Sequence, residues 1–109
     1  MPVTPMDQVA VLKVIERFRN ALMAKGVRNS RVVLYGSHAR DDATQGSDID
    51  LVVISDDFRD KTFWERIDIL TDAIYEVMEP IEATAVTPEE WERGDSMICE
   101  FARDGRMIR

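Results

Sequence analysis

The sequence predicts an α/β (α+β) fold with the element order α-β-α-β-α-β-α, in which helices cover a small mixed three-stranded sheet. Segments rich in β-branched residues alternate with longer segments whose apolar residues recur at helical spacing. The chain has 109 residues, of which 45% are hydrophobic, and this suffices for one compact core. Because no internal repeat or linker-like stretch interrupts the pattern, we expect a single domain over residues 1–109.

The first helix is predicted to begin near Thr4 and to end at Gly26. Thr4 is a suitable N-cap, Pro5 suits the first helical position, and Asp7 is an acidic residue for the first turn. Glycine is common just beyond a helix C-terminus, which makes Gly26 the expected end. The side chains expected to face the core recur at helical spacing, namely Val11, Ile15, Phe18 and Leu22.

Two strands are predicted next, over residues 31–35 and 48–54, and both are rich in large aliphatic residues. Gly36 and Ser37 end the first of these strands. A short polar helical turn around residues 38–41 and a loop over residues 42–47 are expected to lead into the second strand. The polar sequence Ser-Asp-Asp then ends the second strand.

A long helix is predicted over residues 61–79, followed by a third strand over residues 81–86. Pro80 ends the helix because proline cannot continue the helical hydrogen bonding. The apolar stripe of this helix is expected to face the core and consists of Phe63, Ile67, Leu70, Ile74 and Val77.

The C-terminal part is predicted to form helices. Residues 87–90, with the sequence TPEE, make a capping box with proline at the first helical position. Gly94 is expected to interrupt this helix, and Asp95 to cap a final helix that runs to about residue 103. Gly105 is expected to end that helix.

Composition and charge exclude several classes of protein. Lysine and arginine number 14 against 21 aspartates and glutamates, and the net charge of −7 argues against nonspecific binding to nucleic acid. The single cysteine, Cys99, cannot form an internal disulfide or a thiol metal cluster. No stretch matches a membrane span or a signal peptide, so we expect a soluble cytoplasmic domain with no membrane partner.

Asp48 and Asp50 are the first residues that indicate chemistry. They are two apart on a predicted strand, so their side chains are expected on one face, with Cβ atoms about 6.5–7 Å apart. Two such charges repel by roughly 2 kcal/mol at an effective dielectric near 20. A divalent cation would offset this repulsion, and hard carboxylate oxygens suit Mg²⁺. For an isolated Asp-x-Asp, the alternative is a solvated, acidic strand end.

Gly36 and Ser37 stand at the end of the preceding strand. Glycine lets backbone N–H groups approach an anion closely, and the serine hydroxyl adds a donor, although Gly-Ser alone is only a turn sequence. The fixed spacing Gly-Ser-x10-Asp-x-Asp makes chance less plausible, at an estimate on the order of one in a thousand chains of this size. The combination predicts a phosphate site beside a metal site.

The sequences GSHAR at residues 36–40 and GSDIDL at residues 46–51 resemble the signature of the DNA polymerase β-type nucleotidyltransferase superfamily. The short chain is similar to the minimal nucleotidyltransferase (MNT) branch, which includes antitoxins paired with HEPN-domain toxins. The resemblance covers nearly the whole chain, because the predicted element order is also that of the superfamily's nucleotidyltransferase core.

The resemblance implies a catalytic site with two Mg²⁺ ions held by Asp48 and Asp50 and by a third carboxylate from the next core strand. Glu82 is at the matching position, where the family usually has aspartate, so its longer side chain is a departure. An ordinary solvent-facing strand glutamate is the alternative for Glu82. The nucleotide-binding residues implied are Gly36, Ser37, Arg40 and Ser47, with ATP as substrate; Arg40 is equally plausible as a surface arginine.

The implied reaction is attack by an acceptor hydroxyl on the α-phosphate of a nucleoside triphosphate, with release of pyrophosphate. We expect another chain to present the acceptor, in a homo- or hetero-oligomer. By resemblance, the expected activity is transfer of AMP from ATP to a tyrosine of a HEPN toxin, which this chain would silence as its antitoxin. A binding-only antitoxin with weakened catalysis and a small-molecule nucleotidyltransferase are the alternatives.

Other conspicuous residues are interpreted more plainly. His38 is expected to be an exposed turn residue, with a place in the nucleotide pocket as the alternative. Trp64 and Trp91, which could instead bind a base or a partner, are expected to be buried or half-buried packing residues, and Cys99 a buried one. Two methionines are expected either on an oligomer surface or in the packing of the tail, namely Met97 and Met107.

Overall fold

The computed structural model describes residues 7–44, 46–94 and 96–108. Within these residues, five helices and four strands are present, and a 3₁₀ turn at Asp56–Phe58 follows the second strand. The helices are α1 (Gln8–Ala24), α2 (Ser37–Arg40), α3 (Phe63–Val77), α4 (Pro88–Arg93) and α5 (Met97–Ala102). The strands are β1 (Ser30–Tyr35), β2 (Ile49–Ser55), β3 (Ile81–Val86) and β4 (Arg106–Ile108).

The sheet has the strand order β3-β2-β1-β4. β1 is antiparallel to both β2 and β4, whereas β2 and β3 are parallel. The predicted mixed α/β architecture is therefore confirmed, but the prediction of three strands is wrong because β4 adds a fourth. A strand of three residues is too short to show an alternating pattern. Gly105 allows this pairing, since a Cβ there would be only 2.6 Å from the Leu34 carbonyl oxygen on β1.

Several predicted boundaries move by a few residues. Asp7 is itself the N-cap of α1, with its carboxylate accepting a hydrogen bond from the Ala10 amide at 2.8 Å, and is not a residue of the first turn. The predicted cap and proline, Thr4 and Pro5, lie outside the described residues. α1 ends at Ala24, two residues before Gly26, where the sequence predicts its end.

α3 is shorter than predicted at both ends. Thr62 and Glu65 form a capping box, so the helix begins at Phe63 and not at residue 61. Met78 adopts a left-handed conformation with φ +58°, which ends the helix at Val77 instead of residue 79. β3 has the bounds predicted for it.

The C-terminal helices follow the predicted pattern with a change of cap. The TPEE capping box opens α4, and Gly94 ends it in a left-handed conformation. Ser96 caps α5, with its hydroxyl accepting a hydrogen bond from the Cys99 amide, while Asp95, the predicted cap, lies outside the described residues. α5 ends at Ala102, one residue before the predicted end.

The two faces of the sheet carry separate apolar clusters. On one face, α1 and α3 pack on strand residues such as Leu34 and Leu51, and all four predicted core residues of α1 are buried. On the other face, Trp91 of α4 and Cys99 of α5 pack on Val33 and Val52. The predictions that Trp91 and Cys99 are buried are therefore confirmed.

The prediction for the start of α3 is wrong. Leu70 and Val77 are buried and Ile67 and Ile74 are half-buried, but Phe63, which should have led the same stripe, is 66% exposed. Trp64 is 71% exposed and contacts the Phe63 ring edge to face, with the ring centroids 5.2 Å apart. These two residues form the first turn of α3, while the fully buried positions of the helix begin at Leu70.

The two methionines of the C-terminal region lie on the surface. Met97 and Met107 are both exposed, so neither is buried in the packing of the tail. Their place on an oligomer surface stays a prediction.

No helix in the described part of the chain is both long and apolar enough to cross a membrane.

Candidate active site

Three polar side chains lie in one row across the sheet. Asp50 at the start of β2 is paired with Tyr35 on β1 and with Glu82 on β3. Residues directly opposite each other on neighbouring strands project from the same face. This is the face that α4 and α5 cover at its other end, where Ile54 and Val86 are buried.

The row of polar residues is accessible to solvent. Asp50 and Tyr35 are half-buried and Glu82 is exposed, because α4 and α5 pack beyond them on the same face. The carboxylates thus lie on a sheet surface that leaves room for a ligand. This arrangement places the candidate metal ligands of two neighbouring strands beside each other, as the parallel register of β2 and β3 requires.

Gly36 brings the turn after β1 into contact with Asp50. Its φ of +74° and ψ of −156° lie in a region that is essentially restricted to glycine. A Cβ at this position would overlap the carboxylate of Asp50. Gly36 is therefore required both by its backbone conformation and by the close approach of Asp50, and the two halves of the sequence motif meet at this contact.

Electrostatic repulsion is concentrated at Asp50. Burial raises the pKa of Asp50 from 3.8 to about 6, with further contributions from a hydrogen bond with the Glu82 carboxyl and from the charges of Glu82 and Asp48, while His38 acts in the opposite direction. Burial, together with the charges of Asp50 and Glu82, also raises the pKa of Tyr35. A cation at these carboxylates would relieve the repulsion.

Asp48 lies one residue before β2, not on the strand as predicted, and it is exposed. Its charge acts on Asp50, so the two aspartates are close enough to interact. No three acidic, histidine or cysteine side chains among residues 7–44, 46–94 and 96–108 are gathered into a ready metal cage. The carboxylate oxygens of Asp48, Asp50 and Glu82 are ligands of the kind that Mg²⁺ prefers, and the positive charge of Mg²⁺ would offset the repulsion between them.

The structure corrects the prediction for His38, which is 4% exposed instead of an exposed turn residue. Its ring lies beneath the loop that precedes β2, where Nε2 is 3.3 Å from the carbonyl oxygen of Ser47. The hydroxyl of Ser47 accepts a hydrogen bond from the Thr44 amide at 2.9 Å. Sequence patterns missed the burial of His38 because the contact that covers it comes from Ser47, nine residues along the chain.

The other predicted nucleotide-binding residues lie on α2. Ser37 is the first residue of this helix and is half-buried. Arg40 is exposed on the last turn and forms an ion pair with Asp42 at 3.2 Å. A role for Ser37, Arg40 and Ser47 in nucleotide binding stays a prediction, as do the metal-binding roles of the three carboxylates.

Tyr35 is a site residue that the sequence did not indicate. Its position opposite Asp50 depends on the register of β1 and β2. These strands are joined by 13 residues, numbered 36–48, so no short hairpin fixes their register in the sequence. The only available signal is that Tyr35 directly precedes Gly36, at the end of a strand.

Known proteins share this fold and parts of this sequence. A Methanocaldococcus jannaschii protein named "Putative protein adenylyltransferase" is 44% identical over 45 residues, which cover 40% of this chain and 45% of the relative. The matched stretch thus spans less than half of that relative's length. Its name concerns protein adenylylation, and this bears on the present chain only as a proposal.

Two solved structures extend the comparison over nearly the whole chain. A nucleotidyltransferase-like structure from Sulfolobus solfataricus has a TM-score of 0.69 at 18% identity, with 92% of this chain and 80% of the other covered, and shows a shared fold. A second crystal structure, of a "putative nucleotidyltransferase", has a TM-score of 0.58 at 26% identity, with 90% of this chain and 97% of the other covered. The sequence profile of the nucleotidyltransferase domain family matches residues 15–106. Since this match extends from α1 to β4, the chain belongs to the nucleotidyltransferase domain family.

Proposed function

We propose that this chain transfers a nucleotidyl group, AMP from ATP, to a hydroxyl of a partner protein. The observation that carries the proposal is the contact between Gly36 and Asp50, which joins the candidate phosphate turn to the candidate metal ligands. Membership of the nucleotidyltransferase family supports the reaction type. The name of the Methanocaldococcus jannaschii relative supports a protein as acceptor.

The proposed reaction is a substitution at phosphorus. The acceptor oxygen forms a bond to the α-phosphorus, the bond from that phosphorus to the bridging oxygen breaks, and pyrophosphate leaves with the displaced electron pair. Mg²⁺ bound at the carboxylates would neutralise charge on the phosphates and favour ionisation of the attacking hydroxyl. Asp48 and Asp50 would hold it, with Glu82 on the adjacent strand as the third carboxylate.

The residues of α2 and its preceding turn would hold the triphosphate. Gly36 keeps the backbone close to Asp50, so a phosphate bound at this turn would also be close to the carboxylates. Ser37 would donate a hydrogen bond to it, and Arg40 would supply positive charge once it exchanges Asp42 for phosphate. The hydroxyl of Ser47 accepts a hydrogen bond from the Thr44 amide and lies 3.4 Å from the Thr44 hydroxyl; it would exchange the second contact for a hydrogen bond donated to phosphate.

We propose a tyrosine of a HEPN-domain toxin as the acceptor, with this chain as the antitoxin in a hetero-oligomer. The resemblance to the MNT branch carries this assignment, and the net charge of −7 makes nucleic acid a poor acceptor. Such a pair, with ATP as substrate, would act in the cytoplasm. Binding-only neutralisation is the second candidate, favoured by Glu82 at a position where the resemblance implies aspartate.

The test first asks whether a neighbouring reading frame encodes a HEPN-domain protein, and then measures the intact mass of that protein after incubation with this protein, ATP and Mg²⁺. A mass gain of one or more AMP units is expected with the wild type and with Asp72→Asn, a matched control at an exposed position on α3. Asp48→Asn should abolish the gain while leaving the complex intact. Neutralisation of the toxin without any mass gain would overturn transfer and favour binding alone.

A further inference from the structure

His38 is nearly inaccessible to solvent, with 4% of its surface exposed, yet its ring contacts a backbone group of the site. Nε2 lies 3.3 Å from the carbonyl oxygen of Ser47. A carbonyl oxygen can only accept a hydrogen bond, so Nε2 carries the proton and donates it. This bond connects α2, which follows Gly36, to the residue that directly precedes Asp48.

His38 is also held through its backbone, by residues outside the candidate site. Its backbone carbonyl accepts a hydrogen bond from Nε2 of Gln8 at 2.9 Å, across 30 residues of sequence. The side-chain oxygen of Gln8 accepts in turn from Arg106 on β4, also at 2.9 Å. These bonds anchor α2 to the first turn of α1 and to β4, two elements that carry none of the predicted ligands.

The position of Asp48 needs such support. It precedes the first residue of β2, so the β-ladder does not hold its backbone directly, and its side chain is exposed. The loop before it leaves α2 through Asp41, which has a left-handed conformation with φ +60°. Such a loop loses conformational freedom where contacts hold it, and the contact of His38 with Ser47 is one of these.

We propose that His38 is a positioning residue, which fixes Asp48 relative to the Gly36-Ser37 turn by binding the Ser47 carbonyl. It touches neither substrate nor metal in this role. Its effect on nucleotide binding rests on the proposed function, whereas its effect on the loop does not. The network from Arg106 through Gln8 to His38 holds the same connection from outside the site.

The direct test, made without added ligand, is hydrogen exchange at the Ser47 amide, which donates to the Thr44 carbonyl at 3.0 Å. His38→Phe keeps a ring of similar size but removes the donor, and should speed exchange about two- to tenfold, the change expected for one lost hydrogen bond. His38→Gln, whose terminal amide can donate to the same carbonyl, should restore slow exchange. A packing role alone would predict no rescue by glutamine.

A second variant guards against failure of His38→Phe to fold. Gln8→Met removes the outer support while leaving the ring of His38 in place, and should speed exchange at Ser47 to a smaller extent. Val9→Ala, on the same turn and 62% exposed, is the control and should leave exchange unchanged. Unchanged exchange in both His38→Phe and Gln8→Met would overturn the proposal.

Titration of the same variants with Mn²⁺ and ATP separates this proposal from the proposed function. His38→Phe should bind Mn²⁺-ATP more weakly than wild type by about the factor seen in exchange, with His38→Gln close to wild type. Wild-type protein that binds neither Mn²⁺ nor ATP would refute the proposed function, while the exchange data would still decide the role of His38. Equal binding by wild type and His38→Phe would refute the link between loop position and ligand binding.

Discussion

The carboxylate of Asp50 lies against Gly36, in the volume that a β-carbon at residue 36 would occupy. This contact joins a turn after β1 to the start of β2, and it explains why Gly-Ser and Asp-x-Asp belong to one motif although ten residues separate them. It also limits which residues can replace Gly36. A side chain at Gly36 must displace the carboxylate of Asp50.

Gly36→Ala is expected to lose Mn²⁺-ATP binding and nucleotidyl transfer. The backbone conformation of Gly36, with φ +74° and ψ −156°, costs about 1–3 kcal/mol for a non-glycine residue, and the added methyl displaces Asp50. Gly26→Ala is the matched control, because Gly26 also has a positive φ of +96° but nothing lies within 4 Å of its Cβ position. Gly26→Ala should lower the free energy of unfolding and keep binding, as isothermal titration and urea unfolding can show. Equal loss of binding in both variants would contradict the account.

Asp50→Asn is expected to stabilise the protein in the absence of divalent cations. Because the pKa of Asp50 is raised from 3.8 to about 6, its protonated form favours folding, and this contribution is lost as pH rises through about 6. Asparagine resembles the protonated form. The variant should match wild type near pH 4 and exceed its free energy of unfolding by about 1 kcal/mol at pH 8, a value that allows for screening by solvent around Asp50.

Urea unfolding at both pH values measures this difference, with Asp72→Asn as a control at an exposed position on α3. Asp72→Asn should follow wild type at each pH. If Asp50→Asn gave no gain in the free energy of unfolding at pH 8, the carboxylates of the candidate site would not repel each other. Added Mg²⁺ should reduce the difference, because it stabilises wild type more than the variant.

The strands and helices that position the site could largely be predicted because their patterns are local. β3 lies between Pro80 and the capping box that opens α4, and both its bounds are as predicted. β4 could not be predicted, since its three residues become a strand only by pairing with β1. The register that brings Tyr35 and Glu82 to Asp50 is likewise a property of the assembled sheet.

Burial was harder to predict than secondary structure. Trp64 and Trp91 both stand near a helix start, but only Trp91 is covered, because α4 packs on the sheet face where Val52 and Val86 lie. His38 was predicted as exposed from its polar neighbours, whereas the loop at Ser47 covers it. In each case the deciding contacts come from residues distant in sequence.

Trp91→Ala is expected to lower the free energy of unfolding by about 3–5 kcal/mol, the usual cost of removing a buried aromatic side chain. The substitution also removes the ring that Arg103 stacks on, with its Cζ 5.3 Å from the ring centroid. Trp64→Ala, at 71% exposure, should change stability by no more than about 0.5 kcal/mol. Urea unfolding followed by far-ultraviolet circular dichroism compares the two, and a similar loss in both would contradict the structure.

Substitutions of Glu82 distinguish a metal ligand from a surface residue. Glu82→Gln should reduce transfer about tenfold or more, because it removes a charged oxygen donor beside Asp50. Glu82→Asp should retain transfer, since it keeps the carboxylate that the family usually carries. Glu92→Gln, exposed on α4, is the control. Full transfer by Glu82→Gln, measured by the mass gain of the acceptor, would assign Glu82 to the surface.

Nucleotidyl transfer is tested most directly with ATP radiolabelled at either the α- or the γ-phosphate, with this protein, Mg²⁺ and the HEPN-domain protein proposed as its partner. If this chain transfers AMP, the α-label enters the partner protein and the γ-label leaves as pyrophosphate, and Asp48→Asn abolishes both. Entry of the γ-label into protein would show phosphoryl transfer instead. No incorporation of either label, in a complex that nevertheless neutralises the toxin, would contradict nucleotidyl transfer as the function of this chain.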